Sequence, residues 1–355
     1  MNTDKPLVSL SLDLDNKWSY LKTHGDADWK TFPTYLDVFI PSVLSALERL
    51  KLKITFFVVG QDAALPKNAE YLQALAAAGH EIGNHSFHHE PWLQLYSKAE
   101  ITREILSAEE HIVRVTGQKP TGFRGPGFSW STELLEVLAE NGYRYDASTL
   151  PTFLGPLARA YYFRTAKLTA EEKKQRRELF GNFSDGLRPV QPYYWQLTSG
   201  AKLLELPVTT MPIFKIPFHL SYLLYLSRVS ERLLSLYLQT ALQLCRATRT
   251  EPSFLLHPLD LLGGDQAPDL AFFPGMDLSS ARKLELFERV LQLLTIHFQP
   301  VSMGEHARAI CNRTRIATRP APARRDKQNV QKIEAQRSFS ALGAAREVAV
   351  HAPSI

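Results

Sequence analysis

Cysteine is scarce in this chain, which has only Cys245 and Cys311 in 355 residues. Two cysteines this far apart provide neither a disulfide framework nor a thiolate metal site. Their scarcity is consistent with a protein that works in a reducing compartment, where disulfides are rare. The small disulfide-stapled and zinc-finger classes are therefore excluded.

A long apolar run and a secretory signal are also lacking. The longest apolar stretch, Ile216–Leu226, is interrupted by Pro217 and His219 and is too short to cross a bilayer. The opening sequence MNTDKPLVSLSLDLD has no basic segment followed by an apolar one, as a signal peptide has. We therefore expect a cytoplasmic protein. For the apolar 212–228 region we expect a buried helix start, with peripheral contact to the inner membrane face as the alternative.

Motifs of several common enzyme classes are missing as well. The chain contains no GxSxG nucleophile motif, no GxxxxGK[ST] phosphate loop and no GxGxxG dinucleotide loop. Neither cysteine lies in a context typical of a reactive thiol. Hydrolysis through a side-chain nucleophile and nucleotide-dependent chemistry are thus not supported.

Positive charge is concentrated in one segment rather than spread over a face. Residues 313–355 contain nine Lys and Arg against three Asp and Glu, whereas the whole chain has a net charge of +5. The rest of the chain is therefore close to neutral, and we expect no nucleic-acid partner. Low aromatic content and no sustained helical period predict a basic, disordered tail over residues 312–355.

Strand-like and helix-like segments alternate through residues 1–311, which we predict to be one domain. Buried strand patterns such as Lys53–Gly60 alternate with amphipathic helix patterns such as Thr34–Leu50 and a long Leu220–Arg246 helix. Alternation of this kind predicts an α/β fold with a parallel sheet, and six to eight units favour a barrel. Residues 150–200 break the rhythm after the fifth strand, and a lid is one interpretation of this insertion.

Polar residues follow the predicted strands at their carboxyl ends, where active sites of such barrels lie. They are Asp13 and Asp15 after the first strand, His85 and His89 after the third, Arg124 after the fourth, Asp146 after the fifth and His257 after the seventh. Because these ends meet at one mouth, the sequence predicts a shared site.

The sequence GNHSFHHE, residues 83–90, indicates a metal site at this mouth. His85 and His89 have the HxxxH spacing, which places two imidazoles on one face of a helical turn. His85 and His88, three residues apart, also face together, so spacing alone leaves the pair undecided. Two imidazoles and a carboxylate form a catalytic zinc ligand set that keeps a position open for water.

The Asp13-Leu14-Asp15 sequence supplies carboxylates at the end of the first strand. Two neighbouring carboxylates repel, so each needs a cation or a proton. A metal at one and Arg124 beside the other would meet that need. We therefore expect metal-assisted hydrolysis, in which metal-bound water attacks a carbonyl, an aspartate takes the proton and a histidine protonates the leaving nitrogen.

Five short stretches occur in the order typical of one known family. They are SLDLDN (11–16), HSFHH (85–89), RGPGF (124–128), YDAST (145–149) and LLH (255–257). Together the chain resembles the polysaccharide deacetylase family, which has the NodB homology fold of carbohydrate esterase family 4. The resemblance extends from residue 7 to about residue 303. It implies a distorted (β/α)7-type barrel, and D-L-D in place of D-D resembles the family's divergent D-x-D subgroup.

The resemblance assigns roles to the residues at the mouth. It implies that Asp15, His85 and His89 bind one divalent metal, with Zn²⁺ expected and Co²⁺, Ni²⁺ or Mn²⁺ as alternatives. The remaining implied roles are Asp13 as base, Arg124 as its orienting partner, His257 as acid, Asp146 as the partner that holds His257, Pro126 and Gly127 as the oxyanion loop, Leu255 as the wall for the acetyl methyl, and Trp130 as a sugar-stacking residue.

The reaction implied is hydrolysis of an N-acyl group, with N-acetyl expected, on a glycan or a lipid-linked sugar. Two alternatives remain within the same fold: a deformylase and a hydrolase of small cyclic amides. A non-catalytic carbohydrate-binding protein is the alternative of another class. The sequence leaves the glycan and the oligomeric state open.

Overall fold

A single sheet accounts for the strands of a computed structural model, which describes residues 5–165, 181–313 and 315–322. The strands are β1 (Leu7–Leu14), β2 (Thr55–Val58), β3 (Glu81–Asn84), β4 (Gly122–Phe123), β5 (Tyr145–Asp146), β6 (Tyr193–Gln196), β7 (Lys202–Glu205), β8 (Ser253–Leu256), β9 (Gln299–Val301) and β10 (Thr318–Pro320). β1 is the longest because its alternating residues pack on both sides of the sheet.

The strand order is β10-β6-β7-β5-β4-β3-β2-β1-β8, and β9 pairs with the start of β1. All strand pairs are parallel except β6 with β7. The predicted α/β class with a mainly parallel sheet is confirmed. The segment that follows β7 and the strand β8, both within the described ranges, form no strand pair. They are joined by a backbone hydrogen bond from Thr209 N to Ser253 O (3.0 Å). Closure of the barrel therefore stays a prediction.

Helices lie between the strands, as the alternation predicted. They are α1 (Lys17–His24), α2 (Leu36–Arg49), α3 (Gly60–Ala64), α4 (Ala69–Ala77), α5 (Lys98–Thr116), α6 (Thr132–Glu140), α7 (Gly155–Thr165), α8 (Leu220–Val229), α9 (Glu231–Ala247), α10 (Ser280–His297) and α11 (Met303–Cys311). The single helix predicted over Leu220–Arg246 is wrong. Ser230 has an extended backbone, ends α8 and caps α9 with its side chain, so two helices replace one.

The two faces of β1 have different neighbours. Leu10, Leu12 and Leu14 belong to the large apolar core that packs against the helices. Ser9, Ser11 and Asp13 alternate with them and point to the other face, where they are also buried. That face also carries the apolar cluster around Phe57, Tyr145 and Leu204. The polar residues of β1 thus line the inside of the sheet and lead to its carboxyl end.

The predicted insertion at 150–200 contributes to the sheet. It contains α7 and β6, and β6 pairs antiparallel with β7. Residues 166–180 lie outside the described part, so the lid interpretation stays a prediction.

The predicted tail needs a correction at its start: β10 pairs with β6, because Tyr194 N donates to Ala317 O at 2.8 Å and extends the sheet edge. The predicted disorder of 323–355 concerns residues that are not described.

None of the helices in the described ranges combines the length and the apolar character that a membrane span needs.

Candidate active site

Arg124 and Asp13 form a buried ion pair at the carboxyl end of the sheet. Nη1 of Arg124 donates to Oδ1 of Asp13 at 2.8 Å and to Oγ of Ser11 at 3.0 Å, while Nε donates to the carbonyl of Ala147 at 3.0 Å. The guanidinium is fully buried and lies 4.6 Å from the ring centroid of Phe57. The predicted ion pair of Arg124 with Asp13 is therefore present, and its role in orienting Asp13 stays a prediction.

Asp15, His85 and His89 converge directly after β1 and β3. Oδ1 of Asp15 lies 2.9 Å from Nε2 of His89 and 3.3 Å from Nε2 of His85. The three ligand atoms all lie within 4.8 Å of one another. Burial raises the pKa of Asp15, but the charge of His89 and the close contacts of both imidazoles outweigh it and hold that pKa well below its usual range.

The chemistry of this group suits a divalent cation. Among the described residues, Oδ1 of Asp15 and Nε2 of His89 are buried and make no well-aligned hydrogen bond. Nδ1 of His85 lies 2.6 Å from the carbonyl oxygen of Arg124, so donation there leaves Nε2 as the ligand nitrogen. Two imidazoles and one carboxylate are a donor set of catalytic zinc sites.

The loop after β3 brings the histidines together in a way that differs from the prediction. Residues 85–89 form no helical turn; instead Ser86 and His89 have left-handed backbones, with φ of +62° and +53°. Glu104 of α5 accepts hydrogen bonds from the backbone N–H groups of Phe87 and His88, both at 3.0 Å.

The ambiguity between His88 and His89 is resolved by the same carboxylate. Nδ1 of His88 lies 2.6 Å from Glu104, and its side chain is 56% exposed, so the ring points away from Asp15. His89 alone joins His85 at the carboxylate of Asp15.

His257 follows β8, on the other side of β1 from the two ligand histidines. Its Nδ1 lies 3.4 Å from Oγ of Ser221 and 3.6 Å from Oδ2 of Asp260, and Asp260 also accepts the backbone N–H of His257 at 2.9 Å. Burial lowers the pKa of His257, but the hydrogen bond and charge of Asp260, with smaller contributions from Asp13 and Asp15, raise it to about 9. The imidazole is thus protonated at neutral pH.

The prediction that Asp146 holds His257 is wrong. Asp146 is fully buried, accepts a hydrogen bond from Oγ of Ser148 at 2.5 Å and lies opposite Glu205 in the β5–β7 register. Burial, followed by the charge of Glu205, raises the pKa of Asp146 well above its usual value. Asp146 therefore belongs to a buried acid pair, and Asp260 is the partner of His257.

The Arg-Gly-Pro-Gly loop is positioned by that acid pair. Gly125 N donates to Ser148 Oγ at 2.8 Å, and Ser148 in turn bonds to Asp146. Gly127 has a left-handed backbone with φ of +59°, and a Cβ there would lie 3.0 Å from Pro91. Pro126 is buried and Gly127 is exposed, and the oxyanion role of this loop stays a prediction.

Leu255 and Trp130 have different surroundings. Leu255 is fully buried and in register with Ser11, so its side chain lies on the inner face of the sheet. Trp130 stacks on Trp195 with centroids 5.1 Å apart, and the guanidinium of Arg188 lies 4.1 Å from its centroid. Part of the Trp130 ring is thus already covered, and its role in sugar stacking stays a prediction.

A cavity of about 250 Å³ adjoins the Arg-Gly-Pro-Gly loop. Its wall combines Gly127 of this loop and the nearby Trp130 with residues of the insertion such as Asn182 and Arg188. The lining is polar and apolar in about equal parts, which suits a ligand that presents both kinds of surface.

Three positioning residues were missed in the sequence. Asp260 and Glu104 are described above. The third, Asp62, is buried in α3 and accepts hydrogen bonds at Oδ1 from Asn16, Trp18 and Asn68, at 2.7, 3.0 and 3.0 Å. Burial raises its pKa to about 7, against the lowering effect of Asn16 and Trp18. Of these three residues, only Asp260 could have been predicted from the sequence. It follows His257 by three residues in a turn that contains Pro258, so its carboxylate lies near the histidine.

Comparisons with known proteins agree with this fold. The sequence model of the polysaccharide deacetylase family matches residues 22–145. A crystal structure of a Mycobacterium smegmatis protein assigned to the polysaccharide deacetylases superposes with a TM-score of 0.56 and 19% identity, over 92% of this chain and 96% of that one. The chain thus resembles the polysaccharide deacetylase family over residues 22–145, in line with the five motifs.

Curated relatives match over shorter segments. A peptidoglycan deacetylase of Helicobacter pylori is 28% identical over 165 residues, which are 44% of this chain and 53% of the relative. A peptidoglycan-N-acetylglucosamine deacetylase of Bacillus cereus is 32% identical over 102 residues, which are 27% of this chain and 36% of the relative. The chain therefore spans about half or less of the length of these relatives.

Proposed function

We propose that this protein is a metal-dependent hydrolase that removes an N-acyl group, with N-acetyl expected, from a glycan or a lipid-linked sugar. The observation that carries the proposal is the convergence of Asp15, His85 and His89 within 4.8 Å, next to the buried Asp13–Arg124 pair. The deacetylase names of the matched relatives, which include a chitooligosaccharide deacetylase of Bradyrhizobium, support the same reaction class.

Asp15, His85 and His89 would hold the cation, for which zinc is the first candidate. A divalent cation held there supplies Lewis acidity, which polarises the amide carbonyl and lowers the pKa of coordinated water. Oδ1 of Asp13 is bound to Arg124, which leaves the second oxygen of this carboxylate to accept a proton from the attacking water.

His257 is proposed to donate the proton that the departing sugar nitrogen needs. Because β1 lies between β2 and β8, His257 approaches from the side of β1 opposite to that of the ligand histidines. Its pKa of about 9 keeps the imidazole protonated at neutral pH, and the contact of Nδ1 with Asp260 leaves Nε2 to donate. Separate groups would thus accept and deliver protons.

The acyl group is proposed to lie between Leu255 and the Arg-Gly-Pro-Gly loop. The backbone N–H of Gly127 would donate to the oxygen that becomes negative as water adds to the carbonyl. Leu255 would contact the methyl group from the inner face of the sheet. The cavity lined by Trp130 and Arg188 would then receive a neighbouring sugar unit.

The experiment is acetate release from acetylated chitooligosaccharides and from peptidoglycan, with the zinc-loaded and the chelator-treated protein side by side. We expect turnover only in the loaded sample, and its loss in Asp13→Asn. His88→Ala is the matched control, since its ring is exposed and turned away from Asp15. Release of formate would change the assignment to a deformylase, and turnover of small cyclic amides alone would change it to a hydrolase of such amides. Glycan binding without any hydrolysis in the loaded protein would overturn the proposal in favour of a carbohydrate-binding role.

A further inference from the structure

An apolar loop lies at the rim of the mouth. Residues 211–217, here called the rim loop, are closed by hydrogen bonds from Met211 N to Ile216 O and from Lys215 N to Met211 O, both 2.8 Å, and by a β-bridge between Thr210 and Pro217. At its tip Ile213 and Phe214 are 70% and 58% exposed. Two bulky apolar side chains presented together to water are unfavourable unless they meet another apolar phase.

The backbone of the rim loop is strained in a way that presents this tip. Ile213 and Lys215 have φ values of +72° and +58°, and a left-handed backbone is especially costly for a β-branched residue such as isoleucine. Strain of this kind persists where surrounding contacts enforce it, and it is concentrated at functional segments.

Cations lie beside the apolar tip. Nζ of Lys215 donates to the carbonyl of Arg188, and the exposed Arg319 of β10 is close enough to lower the pKa of Lys215, after the larger effect of burial. Within the described residues, neither Lys215 nor Arg319 forms an ion pair with a carboxylate. The sequence after Pro322 adds six further Lys and Arg against three acidic residues. An anionic surface would complement this charge.

The rim loop is also next to the acid histidine. Pro217 accepts a hydrogen bond from Tyr237 at 2.8 Å, and two residues later His219 begins α8 with its ring centroid 6.2 Å from that of His257. The carboxyl-terminal end of the rim loop therefore lies close to His257 in space.

We propose that the rim loop inserts Ile213 and Phe214 into the interface of an anionic lipid bilayer, with Lys215 and Arg319 against the lipid headgroups. This mode combines a shallow apolar contact with electrostatic attraction, as peripheral membrane proteins do. One consequence rests on the proposed function: docking would present the mouth to a sugar carried on a lipid. The binding itself does not depend on that function.

The test is flotation of the full chain with vesicles of phosphatidylcholine alone or mixed with phosphatidylglycerol. We expect binding to the anionic vesicles that weakens with salt, and a loss of at least about tenfold in Ile213→Ser/Phe214→Ser, which corresponds to about 1.4 kcal/mol. Lys215→Glu/Arg319→Glu should weaken binding by about fivefold per charge and reduce its salt dependence. Ile296→Ser is the matched control, because Ile296 is also exposed but lies near the end of α10, at the opposite end of the sheet.

Equal binding of the rim-loop variant and the control, or no binding by the unaltered protein, would overturn the proposal. Light scattering tests whether the tip is instead a contact between subunits. That conclusion would follow if the unaltered protein is a dimer, the rim-loop variant is a monomer and neither binds vesicles. Hydrolysis of soluble oligosaccharides should be unchanged in the two double variants, which would show that their folding and chemistry are intact. Vesicle binding without any turnover would leave this proposal standing and remove the proposed function.

Discussion

The replacement Asp260→Asn isolates the charge that keeps His257 protonated. Asp260 accepts the backbone N–H of His257 at 2.9 Å and lies 3.6 Å from its Nδ1, so asparagine preserves the shape and an acceptor but removes the negative charge. Burial remains and lowers the pKa of His257. We therefore expect that pKa to fall from about 9 to its ordinary value of 6.5 or below.

The size of the effect on activity follows from these two values. At pH 7.5 the protonated fraction of His257 would fall from above about nine tenths to about one tenth, since each pH unit changes the ratio tenfold. If the protonated imidazole is the proton donor, activity is present below its pKa and lost above it. The alkaline limb of the kcat/KM profile should thus move from near pH 9 to near pH 6.5 or lower, with most activity recovered in acid.

The assay is the pH dependence of kcat/KM for acetate release, with NMR titration of the histidines as a second readout. Asp277→Asn is the matched control, because Asp277 is a nearby exposed carboxylate paired with Arg228 at the surface. An alkaline limb that stays in place in Asp260→Asn, while activity falls evenly at every pH, would refute the reasoning. Asp260 would then act on structure rather than on the proton of His257.

Three further predictions concern the metal, the base and the buried acid pair. His89→Ala should weaken zinc binding by at least about 100-fold in chelator competition, whereas His88→Ala should leave it unchanged; parallel losses would contradict the ligand assignment. Asp13→Asn should lower kcat by about 10²- to 10⁴-fold while zinc affinity is retained, and a loss of zinc would show that Asp13 is a ligand. The pKa of Glu205 is raised, chiefly by burial, so the folded state binds a proton more tightly and loses stability as pH rises. Glu205→Gln should flatten this decline in urea unfolding, and an unchanged slope would mean that Glu205 does not hold that proton.

Much of the site was accessible from the sequence because parallel strands align their carboxyl ends. The order of strands and helices sufficed to place Asp13, Asp15 and Arg124 at one mouth, and the HxxxH motif added His85 and His89. The local geometry that unites the two histidines was not accessible. It depends on left-handed backbones and on Glu104 from a distant helix, whereas the spacing rule assumed a helical turn.

Elements that depend on non-local pairing were also beyond the sequence. β10 is a short Thr-Arg-Pro segment with no strand pattern, and it exists because the edge of β6 offers unpaired backbone groups. The break at Ser230 is different, since a serine before a glutamate is an ordinary helix start. The apolar periodicity on both sides of Ser230 masked that signal.

The assignment of Asp260 rather than Asp146 to His257 is also supported by the charge that each carboxyl can carry. Burial and the neighbouring Glu205 raise the pKa of Asp146 well above its usual value, so this group tends to be neutral. A neutral carboxyl group lacks the charge to form an ion pair with an imidazolium. The pKa of Asp260 is lowered despite burial, because His257 bonds to it and is charged, so Asp260 stays ionised. Asp146 therefore belongs to a buried acid pair that supports the Arg-Gly-Pro-Gly loop. Asp260, in the turn after β8, is the counter-ion of His257.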